Sequence, residues 1–177
     1  MGSQFSENTV RILVVGDTHA YSFSKIPTEI MEIAYSVDWL IHVGDYVSYD
    51  VLRGFRELKG DRFRGVHGNA DPMSIRMELP MKDILELHGK RIGMSHPAQG
   101  GPHEDTVERV RGDFLNHHVD MIVYGHTHDP KIEDIEGVLL LSPGKGYKEV
   151  HSFGAPASVG IVIIDGSLNA SIQVIEL

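Results

Sequence analysis

Cysteine is absent from the sequence. That excludes disulfides, thiolate metal sites and cysteine nucleophiles, so any metal ion must be held by nitrogen and oxygen ligands. Long apolar runs are missing as well. None reaches the roughly 20 residues that a membrane-spanning helix needs, and no membrane association is expected. The opening stretch MGSQFSENTV lacks the apolar segment of a secretory signal. Residues 1–9 read as a flexible polar lead-in, native or added, and 10–177 as one domain. A chain with neither signal nor cysteine is expected in the cytoplasm. Positive charge is also scarce: 16 Lys and Arg stand against 25 Asp and Glu, a net −9. A general nucleic-acid binder carries a basic patch. The richest basic stretch, RGFRELKGDRFRG, reads as a solvated helix face and a loop, so no stable nucleic-acid binding is expected. A negative protein still acts on phosphates where bound cations reverse the local charge.

What is present is an ordinary globular composition, 41% hydrophobic and 23% charged over 177 residues, enough for one domain with a sizeable core. One unit recurs: a short β-rich apolar run that ends in a polar cluster. VRILVV leads into GDTH, DWLIHV into GDY, RFRGV into HGNAD, KRIGM into SHP, and DMIVY into GHTH. Helical spacing lies between several of these. PTEIMEIAYS places Ile30, Ile33 and Ala34 on one face, starting near Thr28. YDVLRGFRELKG places Val51, Leu52, Phe55 and Leu58 together and stops at Gly60. EDTVERVRGDFLNHH repeats apolar residues at Val107, Val110, Phe114 and Leu115, with Gly112 costing about 1 kcal/mol relative to alanine. Strand–helix alternation predicts an α/β fold with parallel central strands. The last third predicts hairpins turning at Glu136-Gly137 and Asp165-Gly166, and ILELHGKRIGMSH a further one at His88-Gly89.

In open α/β sheets, ligands bind beyond the carboxyl ends of the strands. Each polar cluster falls at such an end. If the strands are neighbours, Asp17, His19, Asp45, Asn69, His96, His126 and His128 converge at one edge. Imidazole, carboxylate and amide together suit divalent metals of intermediate hardness. Gly16, Gly44, Gly68 and Gly125 recur inside the clusters, where a glycine lets the backbone turn sharply and approach an ion. One His-x-His alone is weak; five strand-end clusters in one short chain are not.

GDTH, GD, GNAD, SHP and GHTH, in this order, resemble the calcineurin-like metallophosphoesterases. The likeness is narrower to the small bacterial and archaeal phosphodiesterases, a group that includes the retromer subunit of similar size. It runs from about Val10 to the C-terminus. The resemblance implies a four-layer α/β/β/α sandwich of two mixed sheets, with a two-metal site at the carboxyl ends of the central strands. It implies Asp17, His19 and His128 on one ion, Asn69, His96 and His126 on the other, and Asp45 bridging both, a carboxylate having two oxygens for the task. The ions expected are two divalent cations, Mn²⁺ first, with Fe²⁺, Ni²⁺ or Zn²⁺ as alternatives. The implied reaction is attack of a metal-bridging hydroxide on a small phosphodiester. Phosphomonoester hydrolysis, or a catalytically weak protein-interaction scaffold on the same fold, are the alternatives. A homodimer or homotetramer fits the group's habits.

Two positions depart from the broad pattern. Ala70 stands where many members carry a histidine that protonates the leaving group, a contribution of about 10²–10⁴-fold. The stretch HPAQGGPH opens with His96, where relatives usually show His-Gly-His, so Pro97 and Ala98 replace the Gly-His pair while His96 remains. His67, His103 in the glycine-rich loop and Lys145 in SPGKGY are further candidates; His67 reads as facing the core, and Lys145 as reaching a phosphate or facing water. His42 reads as a packed core residue, His88 as a turn, His117 and His118 as closing a helix whose dipole favours cations, and His151 as a loop residue.

Overall fold

A computed structural model describes residues 8–98, 103–149 and 154–175. The expected four-layer α/β/β/α arrangement is what the chain forms. The first sheet runs in the order β10-β9-β1-β2-β3, the second in the order β4-β5-β6-β8-β7. In the first, β1 (Val10–Val15), β2 (Trp39–His42) and β3 (Phe63–Gly65) are parallel, while β9 (Ser158–Ile164) runs antiparallel between β1 and β10 (Leu168–Val174). In the second, β5 (Lys90–Ser95), β6 (Met121–Tyr124) and β8 (Val138–Pro143) are parallel, flanked by antiparallel β4 (Lys82–Leu87) and β7 (Pro130–Ile135).

Alternation within β1 shows why the layers stack. Ile12 and Val14 point into the space between the sheets, against Met94, Met121, Val123 and Leu141. Leu13 and Val15 point the other way, onto Ile30 and Ala34 of α1 (Thr28–Ser36) and Val51, Leu52 and Phe55 of α2 (Tyr49–Lys59). A strand covered on both faces has no polar side, hence the unbroken VRILVV. The second sheet's outer face is covered by Val110 of α4 (Thr106–Asp113) and by Phe114. Between β3 and β4 lies a single helical turn, α3 (Met73–Arg76), which the periodicity did not foretell.

The predicted turns hold. His88-Gly89 and Glu136-Gly137 both take positive φ across two-residue connections, the geometry that matches strand twist. Gly60 ends α2 at φ 55°. One expectation needs correcting. Helix α4 stops at Asp113, so His117 and His118 lie past its end and are exposed, and Leu115 is 76% exposed rather than in the core. His118 sits at φ 50°, a conformation that cannot continue a helix. No helix among the described residues is long and apolar enough to cross a membrane. His151 and the side chain of His103 lie outside the described residues.

Candidate metal centre

The polar clusters follow the carboxyl ends of five parallel strands at one edge, β1, β2 and β3 of the first sheet and β5 and β6 of the second. Short backbone hydrogen bonds stitch the exits together: Asp17 N–H donates to Gly44 O at 2.9 Å, His19 N–H to Asp45 O at 3.2 Å, and Gly125 N–H to Ser95 O at 3.2 Å. All seven residues singled out from the sequence come together here.

They form two groups around the carboxylates. Asp17 Oδ1 lies 3.3 Å from His128 Nε2 and 3.8 Å from His19 Nε2. His96 Nε2 lies 3.5 Å from Asp45 Oδ2 and 3.0 Å from Asn69 Oδ1, which is itself 3.2 Å from His126 Nδ1. The imidazoles pair accordingly, His19 with His128 at 5.4 Å between centroids and His96 with His126 at 5.3 Å. Asp45 lies between the groups, its Oδ2 3.3 Å from His19 Nε2 as well. The two-oxygen picture of Asp45 is thereby revised: Oδ2 alone faces both sides, because Oδ1 accepts the Ala70 N–H at 2.8 Å. Residue 70, which has no acid to offer, still anchors the central carboxylate through its backbone.

The backbone at this edge is bent out of its ordinary range. Asp17, His19, Asp45, His126 and His128 all have positive φ, at 47°, 43°, 60°, 86° and 63°. Each costs an L-residue about 1–2 kcal/mol, and strain so concentrated marks a functional site. Two glycines make the approach physical. Gly44 sits at φ 98°, and a Cβ there would fall 2.6 Å from His96 Nδ1; at Gly68 it would fall 2.1 Å from Asp45 Oδ1.

The donor set fits a divalent metal on observations internal to the fold. Asp17 Oδ1 and His19 Nε2 are buried without a hydrogen bond of good geometry and meet their neighbours only at ion-pair distances, an incomplete satisfaction for buried polar atoms. His96 donates from Nδ1 to Val43 O at 2.8 Å, which leaves the Nε2 lone pair of the neutral ring facing Asn69 Oδ1 and Asp45 Oδ2. Acceptors that face one another need a proton or a cation between them. Burial works to raise the pKa of Asp17, yet the contacts of His128 and His19 and the charge of His96 outweigh it and hold the carboxyl at about 2. Burial likewise opposes, and the imidazoles override, a shift of Asp45 below the usual carboxylate range. Asp17 and Asp45 together push His19 up to about 9. The field that stabilises an imidazolium there attracts a divalent ion equally, and ion binding releases the proton.

Several residues matter that the motifs did not single out. Asp71, 3% exposed, accepts three backbone N–H groups: Asp45 at 2.9 Å, Val47 at 2.9 Å and Gly68 at 2.7 Å. It holds Val47 at φ 64°, an outlying conformation for a β-branched residue. Its place at the end of GNAD was the available signal. Tyr147 lies against His19 and His128. His67 does not face the core; it is half-buried and walls a cavity of about 60 Å³ beside Asn69 and His96, with Arg76, Met81 and Ala98. Lys145 neither faces water nor points freely at the site: it is buried, with Nζ 3.4 Å from Glu149 Oε2.

His42 is the core residue the sequence suggested. Its Nδ1 accepts the Gly44 N–H at 3.2 Å, which places the ring proton on Nε2, 3.1 Å from Thr18 Oγ1. Burial pushes the imidazole down to about 3, against the upward pull of Asp17 and Asp45. The unfolded chain therefore binds a proton at His42 near pH 6.5 that the folded chain refuses until about pH 3, so stability falls with pH across that window. The expected contribution is about 1.4 kcal/mol per pH unit. Urea unfolding of wild type and His42→Gln at pH 6 and pH 5 checks it: the variant should lose less stability over that step, and equal losses would contradict the assignment.

Layered sheets with a histidine–carboxylate cluster on the shared carboxyl edge define a metal-binding α/β sandwich. Over residues 10–167 the sequence matches the calcineurin-like phosphoesterase superfamily domain, and the chain belongs to that superfamily. A probable metallophosphoesterase of Methanocaldococcus jannaschii is 34% identical over 138 residues, covering 77% of this chain and 68% of the relative. A phosphodiesterase of the same organism is 27% identical over 121 residues, 62% of this chain and 68% of that protein. Among solved structures, vacuolar protein sorting 29 of Cryptosporidium parvum superposes with a TM-score of 0.73 at 18% identity, over 94% of this chain and 98% of its own. That likeness shows the fold.

Proposed function

We propose that this chain is a metal-dependent phosphodiesterase with a two-ion centre. Asp17, His19 and His128 would hold one ion and Asn69, His96 and His126 the other, with Asp45, which faces both groups, contributing to each. The observation that carries the reading is the pair of buried atoms without hydrogen bonds of good geometry, Asp17 Oδ1 and His19 Nε2, inside a set made entirely of metal-ligating groups. When bound, such a pair of ions lowers the pKa of water and stabilises charge on a phosphoryl group.

The chain's own residues do the positioning. Asp17 Oδ2 is occupied by the His126 N–H at 3.0 Å, which turns Oδ1 toward the first group. Val43 O fixes the tautomer of His96 and aims Nε2 inward, the role that outer partners of ligating histidines play. Arg76 donates to Asn69 O at 2.6 Å and Asp71 O at 2.7 Å, holding the Asn69 loop. Residue 70 has only a methyl group, so it protonates no leaving group. That favours esters whose leaving group departs as a stable anion, such as aryl diesters, and the relative named a phosphodiesterase agrees.

The test is hydrolysis of bis-p-nitrophenyl phosphate by the purified protein with Mn²⁺, with Fe²⁺, Ni²⁺ and Zn²⁺ in parallel, and with a chelator. The expected result is metal-restored turnover that the chelator abolishes, with the diester cleaved faster than p-nitrophenyl phosphate. A protein that binds two ions and cleaves neither ester would overturn the reading in favour of a scaffold. Faster monoester cleavage would reassign the substrate class.

A further inference from the structure

Ligating histidines nearly always donate their second ring N–H to an orienting partner. His96 does so, through Val43 O. Among the described residues, neither His19 nor His128 has a hydrogen bond at Nδ1, and both are half-buried on left-handed backbone. The contacts that their rings make within the fold are aromatic. The Tyr147 ring lies 5.5 Å from His19 and 6.0 Å from His128, at interplanar angles of 60° and 83°, the edge-to-face geometry aromatic pairs prefer.

Tyr147 is itself held firmly. Gly146 N–H donates to Gly16 O at 2.9 Å and Asp17 O at 3.1 Å, and Lys145 O accepts the Ser158 N–H at 3.0 Å. The segment is thus fastened both to the exit of β1 and to the start of β9. The buried Lys145 ammonium lies 5.1 Å from the Tyr147 ring centroid, a cation on the ring that further restrains it.

We infer that Tyr147 is a positioning residue for the first ion: its ring fixes the planes of His19 and His128, so that both Nε2 atoms converge on Asp17 Oδ1. The inference rests on reading Asp17, His19 and His128 as one ion's ligands.

Mn²⁺ binding to the full chain, followed by calorimetry and by the EPR signal of free Mn²⁺, tests it without recourse to activity. Wild type should bind two ions. Tyr147→Ala should weaken one of them about 10- to 100-fold and leave the other unchanged. Tyr147→Phe, which keeps the ring, should stay within about twofold of wild type on the same scale. Should Tyr147→Ala fail to fold, Tyr147→Leu preserves bulk without the flat ring and carries the same expectation. Two ions bound by Tyr147→Ala with wild-type affinity would overturn the inference alone, as would a Tyr147→Phe loss equal to that of alanine. No ion bound by wild type would remove the site reading, and the role of Tyr147 with it.

Discussion

Replacing Asp45 by alanine is expected to lower kcat/KM for bis-p-nitrophenyl phosphate in Mn²⁺ by about 10³-fold or more, equivalent to about 4 kcal/mol of transition-state stabilisation. Asp45 faces both groups of donors. Its Oδ2 is 3.3 Å from His19 and 3.5 Å from His96, so its loss uncouples two sets of donors at once. Asp45→Asn separates charge from shape: the amide oxygen keeps the Ala70 N–H while the negative charge is gone. On the proposed role of the carboxylate, offsetting cationic charge in a buried place, it should fall nearer to alanine than to wild type. The measurement is steady-state kinetics with Mn²⁺ stoichiometry on the same samples. Activity within tenfold of wild type for Asp45→Ala would refute the central role given to this residue.

The second large effect is on stability. Asp71→Ala should destabilise the metal-free fold by about 3–5 kcal/mol. Three buried N–H donors lose their acceptor, and each unsatisfied donor costs about 1–3 kcal/mol before water entry relieves part of it. Asp71→Asn should cost less, since one acceptor oxygen survives, although its NH₂ group then confronts an N–H. Burial pushes the Asp71 carboxyl above its usual range, with the three N–H groups acting in the opposite sense. That balance is the signature of an acceptor kept in the interior for its geometry. Urea denaturation gives the comparison directly, and a change below about 1 kcal/mol for alanine would show that the loops bearing Asp45 and Gly68 do not depend on it.

Much of the fold was legible because it is local. The continuous apolar run of β1, the spacing of Val51, Leu52 and Phe55, and the His88-Gly89 and Glu136-Gly137 turns are written within a few residues each. Where local pattern failed, packing decided. Leu115 continues the apolar spacing of α4 but is exposed, because the helix stops two residues earlier. Lys145 has the composition of a surface residue, yet it is buried against Tyr147 and Glu149. The seven donor positions were readable because each lies shortly after a strand, where chain order and spatial order coincide. The supporting residues were not: Asp71 lies 26 residues from Asp45, and the pairing of Asp17 with the His126 N–H spans 109.

From the sequence alone came the chemistry on offer: no thiol, a net negative chain, and seven nitrogen and oxygen donors each placed at the end of a strand. Side-chain type and strand ends are properties of short stretches, so they survive in one dimension. Tertiary structure decided how those donors are used: that one oxygen of Asp45 faces both groups while the other is tied to Ala70, that five donors stand on left-handed backbone, and that Asp71 and Tyr147 brace them. These depend on angles and distances between segments brought together only by packing two sheets face to face, and no spacing along the chain encodes an angle.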